Sequence, residues 1–127
     1  LGHTFGHALE VLSGFILRHG EAVSIGMVAA TRTAVALGLC DATVEERLAT
    51  LLQRFGLPTR YEGYEPKEVW EAMATDKKRR GKKLRFVLPR AIGQVEVTDK
   101  APEAVVLEVL EKLRGKDEHK GPYYPRS

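Results

Sequence analysis

Gly2-His3-Thr4-Phe5-Gly6-His7-Ala8-Leu9-Glu10, followed by His19-Gly20-Glu21, holds three of the four histidines in the chain. Apolar Phe5, Leu9 and Leu12 recur at helical spacing with Ala8 and Val11 beside them, so a helix is expected over residues 3–13, ended by Gly14. Gly2 and Gly6 each cost roughly 1 kcal/mol relative to alanine in such a helix, a cost that has a purpose where something must approach the backbone closely. His3 and His7 are four apart, so both rings project from one face about a turn apart, a spacing that suits two nitrogens around a divalent ion. His19, at the start of an antiparallel neighbouring helix, can return to the same locality. Neutral imidazole is a good Zn²⁺ ligand, and catalytic zinc sites commonly have three protein ligands and an open position. The same spacing also fits two partly exposed helix residues. Spacing and glycines therefore leave a metal or substrate site and an ordinary helix face both open.

The rest of the chain bounds these readings. At 127 residues and 14.1 kDa, with 43% hydrophobic and 29% charged residues, it suits one domain with one core. Twenty basic against 17 acidic residues leave a net charge of only +3, so charge does not indicate nucleic-acid binding. The single cysteine, Cys40, excludes an intrachain disulfide and fits a reducing, cytoplasmic compartment. No run approaches the roughly 18 to 20 apolar residues that span a bilayer, and the start does not read as a signal peptide. The sequence opens on Leu1 rather than Met and enters a helix with no capping side chain, so residues ahead of Leu1 are expected.

Downstream, a second helix is expected over 21–37, rich in small residues such as Gly26, Ala29 and Ala30, central and largely buried. Asp41, or Thr43 in a capping box with Glu46, starts a third, whose stripe is Val44, Leu48, Leu51, Leu52 and Phe55. Pro66 opens a fourth over 66–75, with Val69, Trp70 and Met73 inward. The period then changes: 84–88 and 94–98 read as strands of a hairpin with a five-residue connection at 89–93. A last helix over 102–114 buries Val105, Val106, Val109, Leu110 and Leu113. The polar stretch 115–127 is expected to be a disordered tail, with His119 an ordinary exposed residue. The fold class is therefore mainly α with a small β-hairpin.

Other chemistry-bearing residues read as structural. Cys40 has no histidine partner nearby, and Trp70 and Met73 sit at core spacing. Glu21 either orients His19 or caps its own helix. Lys77, Lys78, Arg79, Arg80, Lys82 and Lys83 form a basic run of the kind that is usually a solvated loop, and no interleaved aromatics suggest nucleic acid.

The ordered set of motifs closely resembles the C-terminal domain of 3-dehydroquinate synthase. It comprises residues 2–10, His19-Gly20-Glu21-Ala22-Val23, Ile25-Gly26-Met27, Phe55-Gly56-Leu57-Pro58-Thr59, Asp76-Lys77-Lys78, Leu84 to Pro89 and Ala91-Ile92-Gly93, and covers residues 1–114. The resemblance implies a multihelical metal- and substrate-binding domain whose partner, an N-terminal NAD-binding domain, is absent from this chain. It implies His3 and His19 as ligands of Zn²⁺ or Co²⁺, with the third ligand, a glutamate, in the preceding domain. His7 and Lys77 are implied as catalytic and substrate-binding residues at the phosphate end of the substrate, Lys77 directly following the helix end at Asp76. The activity implied is a phosphate-eliminating carbon–oxygen lyase that converts 3-deoxy-arabino-heptulosonate 7-phosphate to 3-dehydroquinate and phosphate, using NAD⁺, in the shikimate pathway. It also implies a cytoplasmic homodimer when intact, a sugar-phosphate substrate, no nucleic-acid or membrane partner, and an inactive isolated fragment. Alternatives are another sugar-phosphate cyclase such as 2-deoxy-scyllo-inosose synthase, a metal-dependent glycerol dehydrogenase-like enzyme, or a non-catalytic helical module.

Overall fold

The structure, a computed structural model, describes residues 2–91 and 93–114. The elements run α1 (His3–Leu12), α2 (His19–Ala36), α3 (Ala42–Arg54), α4 (Pro66–Arg79), β1 (Phe86–Ala91), β2 (Gln94–Thr98) and α5 (Glu103–Leu113). The expected tail, 115–127 with His119, lies outside the described residues.

α2 is the central element and touches α1, α3, β1 and α5, while α4 packs against α1 and α5. Small residues make this possible. Ala22, Val28, Ala29, Ala30 and Ala34 of α2 are all buried, together with Ile25. From α1 come Phe5, Ala8 and Leu9, from α4 Val69 and Met73, from β1 Phe86 and Leu88, and from α5 Val106, Val109, Leu110 and Leu113. Phe86 stacks at 5.2 Å from Phe5 and 6.5 Å from Trp70, which fixes the hairpin on the helices.

The closest approach is between α1 and α2. A Cβ on Gly26 would collide with the carbonyl oxygen of Gly2, and one on Gly6 would stand 3.0 Å from the carbonyl oxygen of Ala22. Gly2 also has φ 84°, which admits glycine readily and turns the chain into the first helical hydrogen bond, Gly6 N–H to Gly2 O at 2.8 Å.

Four expectations are corrected. α2 begins at His19, two residues earlier than read, because the Glu21 carboxylate accepts the Arg18 backbone N–H at 3.0 Å and closes the first turn. α4 continues to Arg79, since lysine and arginine are good helix formers favoured at a helix C-terminus, and Gly81 at φ 67° stops it. Lys77 therefore lies inside the last turn and not beyond the helix end. β1 extends through Pro89 to Ala91, with a register irregularity between them, so the hairpin connection is shorter than five residues. In α3 the stripe is too wide: Leu52 is buried and Val44 and Leu48 half-buried, but Leu51 and Phe55 are exposed, because only one edge of the helix meets α2. Its cap is Asp41, whose carboxylate accepts the Thr43 N–H at 3.2 Å.

Tyr61 is buried beside the end of α5, its hydroxyl donating to Leu110 O at 3.0 Å and its N–H to Leu113 O at 3.2 Å. Burial pushes its phenol well above the usual range. The native state thus favours the neutral form, and that stability is fully present below the unfolded value of about pH 10 and is lost as pH rises beyond it.

Two outcomes follow. Gly26→Ala should cost about 2–3 kcal/mol or more in a denaturant melt, whereas Gly20→Ala, with open space at its Cβ, should fall within about 1 kcal/mol of neutral. Tyr61→Phe should cost about 1 kcal/mol at neutral pH, yet its thermal midpoint should decline less than that of the unaltered chain between about pH 9 and 11. Parallel curves would refute the tyrosine assignment.

Candidate metal and anion site

The close crossing of α1 and α2 sets the first half of the site. α1 presents His3 near its start, and α2, returning after a short link, presents His19 as its first residue. Their ring centroids stand 5.9 Å apart with planes tilted by 50°. Two imidazoles on one tetrahedral ion, with nitrogens about 2.0–2.1 Å from it, have centroids roughly 5 Å apart. The observed spacing is thus within a small side-chain rotation of a shared ion. Both rings are exposed to solvent, so an ion and an exogenous ligand have access.

The link between the helices is itself held. Phe15 N–H and Ser13 Oγ–H donate to the Glu10 carbonyl at 2.8 and 3.0 Å, and the Leu17 N–H donates to Ser13 Oγ at 3.2 Å. Phe15 takes φ 66°, a left-handed turn that reverses the chain within a few residues. The reversal brings His19 back over the last turns of α1, where its Nδ1 meets the Glu10 carboxylate at 3.1 Å.

α4 supplies the second half. His7, half-buried one turn beyond His3, has Nε2 3.7 Å from Asp76 Oδ1, and the same oxygen is 3.5 Å from Arg80 Nε. Lys77 follows Asp76, half-buried in the last turn of α4, and has no carboxylate within ion-pair distance among the described residues. His3, His7, His19 and Lys77 all line one groove of about 710 Å³ between α1 and α4, together with Glu10 and Asp76. Arg79 and Arg80 line it as well, so basic side chains gather at the end of α4, while Glu68 and Glu71 line the groove farther back along the helix.

The four residues singled out from sequence are therefore brought together. Two more were given no role: Glu10 and Asp76. Their signal was a carboxylate on the same stripe of α1 as His3 and His7, and a lone acid heading a basic run. Of the two roles open to Glu21, it takes the helix cap, and Glu10 takes the carboxylate beside His19. Cys40 is buried, and burial pushes its thiol up, which suits packing and not nucleophilic attack. Met73 is buried and Trp70 packs on the core. Among the described residues no group of three histidine, cysteine or acidic side chains is arranged to hold a metal alone, and no helix is long and apolar enough to cross a membrane.

Residues 1–79 match the family model described as 3-dehydroquinate synthase C-terminal. A 3-dehydroquinate synthase from Synechococcus sp. is 47% identical over 114 residues, 88% of this chain and 31% of the relative. One from Xanthomonas campestris is 49% identical over 117 residues, covering 87% of this chain and 32% of the relative. The chain thus spans about a third of the length of the curated relatives it matches. Among solved structures, a 2-epi-5-epi-valiolone synthase from Streptomyces hygroscopicus, with NAD⁺ and Zn²⁺ bound, superposes with a TM-score of 0.79 at 27% identity, over 88% of this chain and 31% of that one. A 2-deoxy-scyllo-inosose synthase complexed with carbaglucose-6-phosphate, NAD⁺ and Co²⁺ gives 0.73 at 24% identity, over 87% and 33%, and shows the shared fold.

Proposed function

The chain belongs to the 3-dehydroquinate synthase C-terminal family, and from that premise we propose that residues 1–114 are the metal- and phosphate-binding part of a 3-dehydroquinate synthase. The whole enzyme would convert 3-deoxy-arabino-heptulosonate 7-phosphate to 3-dehydroquinate and inorganic phosphate, as a carbon–oxygen lyase of the shikimate pathway. The observation that carries this reading is the convergence of His3, His7, His19 and Lys77 on one groove. NAD⁺ and the third metal ligand, a glutamate, would come from a domain outside these residues, and the intact enzyme is read as a cytoplasmic homodimer.

The donor set fits a divalent ion. Two exposed imidazoles 5.9 Å apart supply two of the three protein ligands that a catalytic site needs, and leave room for a third donor and an oxygen ligand. The relative solved with Zn²⁺ and NAD⁺ shares this fold. When bound, the ion supplies Lewis acidity at a substrate oxygen. His3 and His19 hold it, and His7 and Lys77 hold the phosphate end of the substrate. Lys77 acts as a point charge that no carboxylate among the described residues pairs with, and its half-buried position strengthens the attraction. Asp76 stands behind His7 and limits the directions the ring can take. Anchored in this way, the phosphate is kept beside the proton that it removes as it leaves.

Substrate choice within the cyclases favours dehydroquinate synthesis. Identity to dehydroquinate synthases is 47–49%, against 24–27% for the valiolone and inosose synthases. A glycerol dehydrogenase-like reaction has no use for the uncompensated Lys77, and a purely non-catalytic module has no use for the histidine pair.

Zinc titration of the chain should weaken at least about tenfold on His3→Ala and on His19→Ala, one lost ligand each; unaltered binding in both variants would end the metal assignment. In the full enzyme, Lys77→Ala should raise KM for the heptulosonate phosphate by about 10- to 150-fold, the worth of one charge-assisted hydrogen bond of roughly 1.5–3 kcal/mol. The 127 residues alone should release no phosphate from it. Release at the rate of the full enzyme would contradict the division of the site.

A further inference from the structure

We infer that Glu10 is a positioning residue for His19: its carboxylate selects the ring tautomer and orientation that turn Nε2 toward the groove. The inference rests on the reading of His19 as a metal ligand and adds to it a residue that carries no ligand role of its own.

Glu10 sits on the same stripe of α1 as His3 and His7, at the edge of the groove, with its side chain 11% exposed, against 67% for His19. A carboxylate withdrawn from water is unfavourable unless it is partnered. Its side-chain partner is His19 Nδ1, at 3.1 Å. An ionised carboxylate only accepts, so the ring must donate from Nδ1. In the neutral imidazole this leaves the hydrogen on Nδ1 and the lone pair on Nε2. Free histidine in water favours the opposite tautomer, so the pairing works against the intrinsic preference.

The geometry also removes freedom. The helix start at His19 and the hydrogen-bonded link at Ser13, Phe15 and Leu17 hold the backbone, and the carboxylate holds one edge of the ring. An exposed side chain of this kind otherwise loses rotamer freedom when it binds. Here that ordering precedes the ion. Glu21, the other buried acid of the two helices, accepts the Arg18 N–H and caps the start of α2.

Long-range ¹⁵N–¹H correlation spectra of the metal-free chain, at a pH where His19 is neutral, report the tautomer directly. The Nδ1–H form should predominate at His19 and give way to Nε2–H in Glu10→Ala. Glu10→Gln, whose amide oxygen still accepts, should retain Nδ1–H. Zinc affinity should fall roughly 10- to 100-fold in Glu10→Ala and less in Glu10→Gln. Predominance of Nε2–H in the unaltered chain overturns the inference and needs no variant, so it decides the matter even if Glu10→Ala does not fold. If His19→Ala loses zinc while Glu10→Ala binds it as before, the positioning role fails and the metal reading stands. If His19→Ala binds zinc unchanged, the metal reading fails and the inference fails with it.

Discussion

The site depends on one steric constraint, the absence of side chains where α1 crosses α2. Gly26 lies against the carbonyl of Gly2, and Gly6 lies against the Ala22 carbonyl, so the two backbones meet with nothing between them. A single methyl at Gly26 would drive the helices apart at the end where His3 and His19 face each other. At a centroid separation of 5.9 Å there is little margin, since a further displacement of an ångström or two would leave no single point within bonding distance of both rings. The glycines cost helix propensity in isolation. Their return is a helix–helix approach that fixes two histidines from separate elements.

The second half of the groove depends on charge rather than contact. Lys77, Lys78 and Arg79 end α4, where the helix dipole favours cations, and Gly81 then turns the chain away. That local logic accounts for the run without any ligand. It does not account for the inequality within the run: Lys78 and Arg79 are exposed, Arg80 is drawn to Asp76, and Lys77 is half-buried with no carboxylate within ion-pair distance among the described residues. An ammonium placed so keeps most of its field for whatever anion enters the groove.

Much of this was legible in the sequence, and the failures have physical causes. The five helices and the hairpin follow from periodicity, and the central burial of α2 follows from its small residues. The extent of α4 was missed because a dense basic run reads as solvated loop, although each residue in it tolerates a helix and the dipole rewards its position. The over-wide stripe on α3 was missed because periodicity shows which face can be buried and not how much of it a neighbour covers. Glu10 went without a role for a different reason. A carboxylate on the histidine stripe of a helix reads as one more polar groove residue, and its partner, His19, is supplied by a chain reversal at Phe15 that no local pattern announces.

His3 and His7 show most clearly where spacing ends and structure begins. Four residues apart, they occupy equivalent positions on one helix face, and nothing in α1 distinguishes them. Their neighbours do. The start of α2 returns over the last turns of α1 and its His19 ring reaches to 5.9 Å from that of His3; the end of α4 lies beside His7, which faces a carboxylate with a lysine following it. Two imidazoles together form a set of lone-pair donors that a soft-to-borderline cation completes, whereas an imidazole beside Asp76 and Lys77 belongs to a surface that an anion completes. On the reading proposed above, one helix would serve a cation site and an anion site a single turn apart. The sugar phosphate proposed as substrate, with hydroxyl oxygens at one end and a dianion at the other, would meet them in that order of charge.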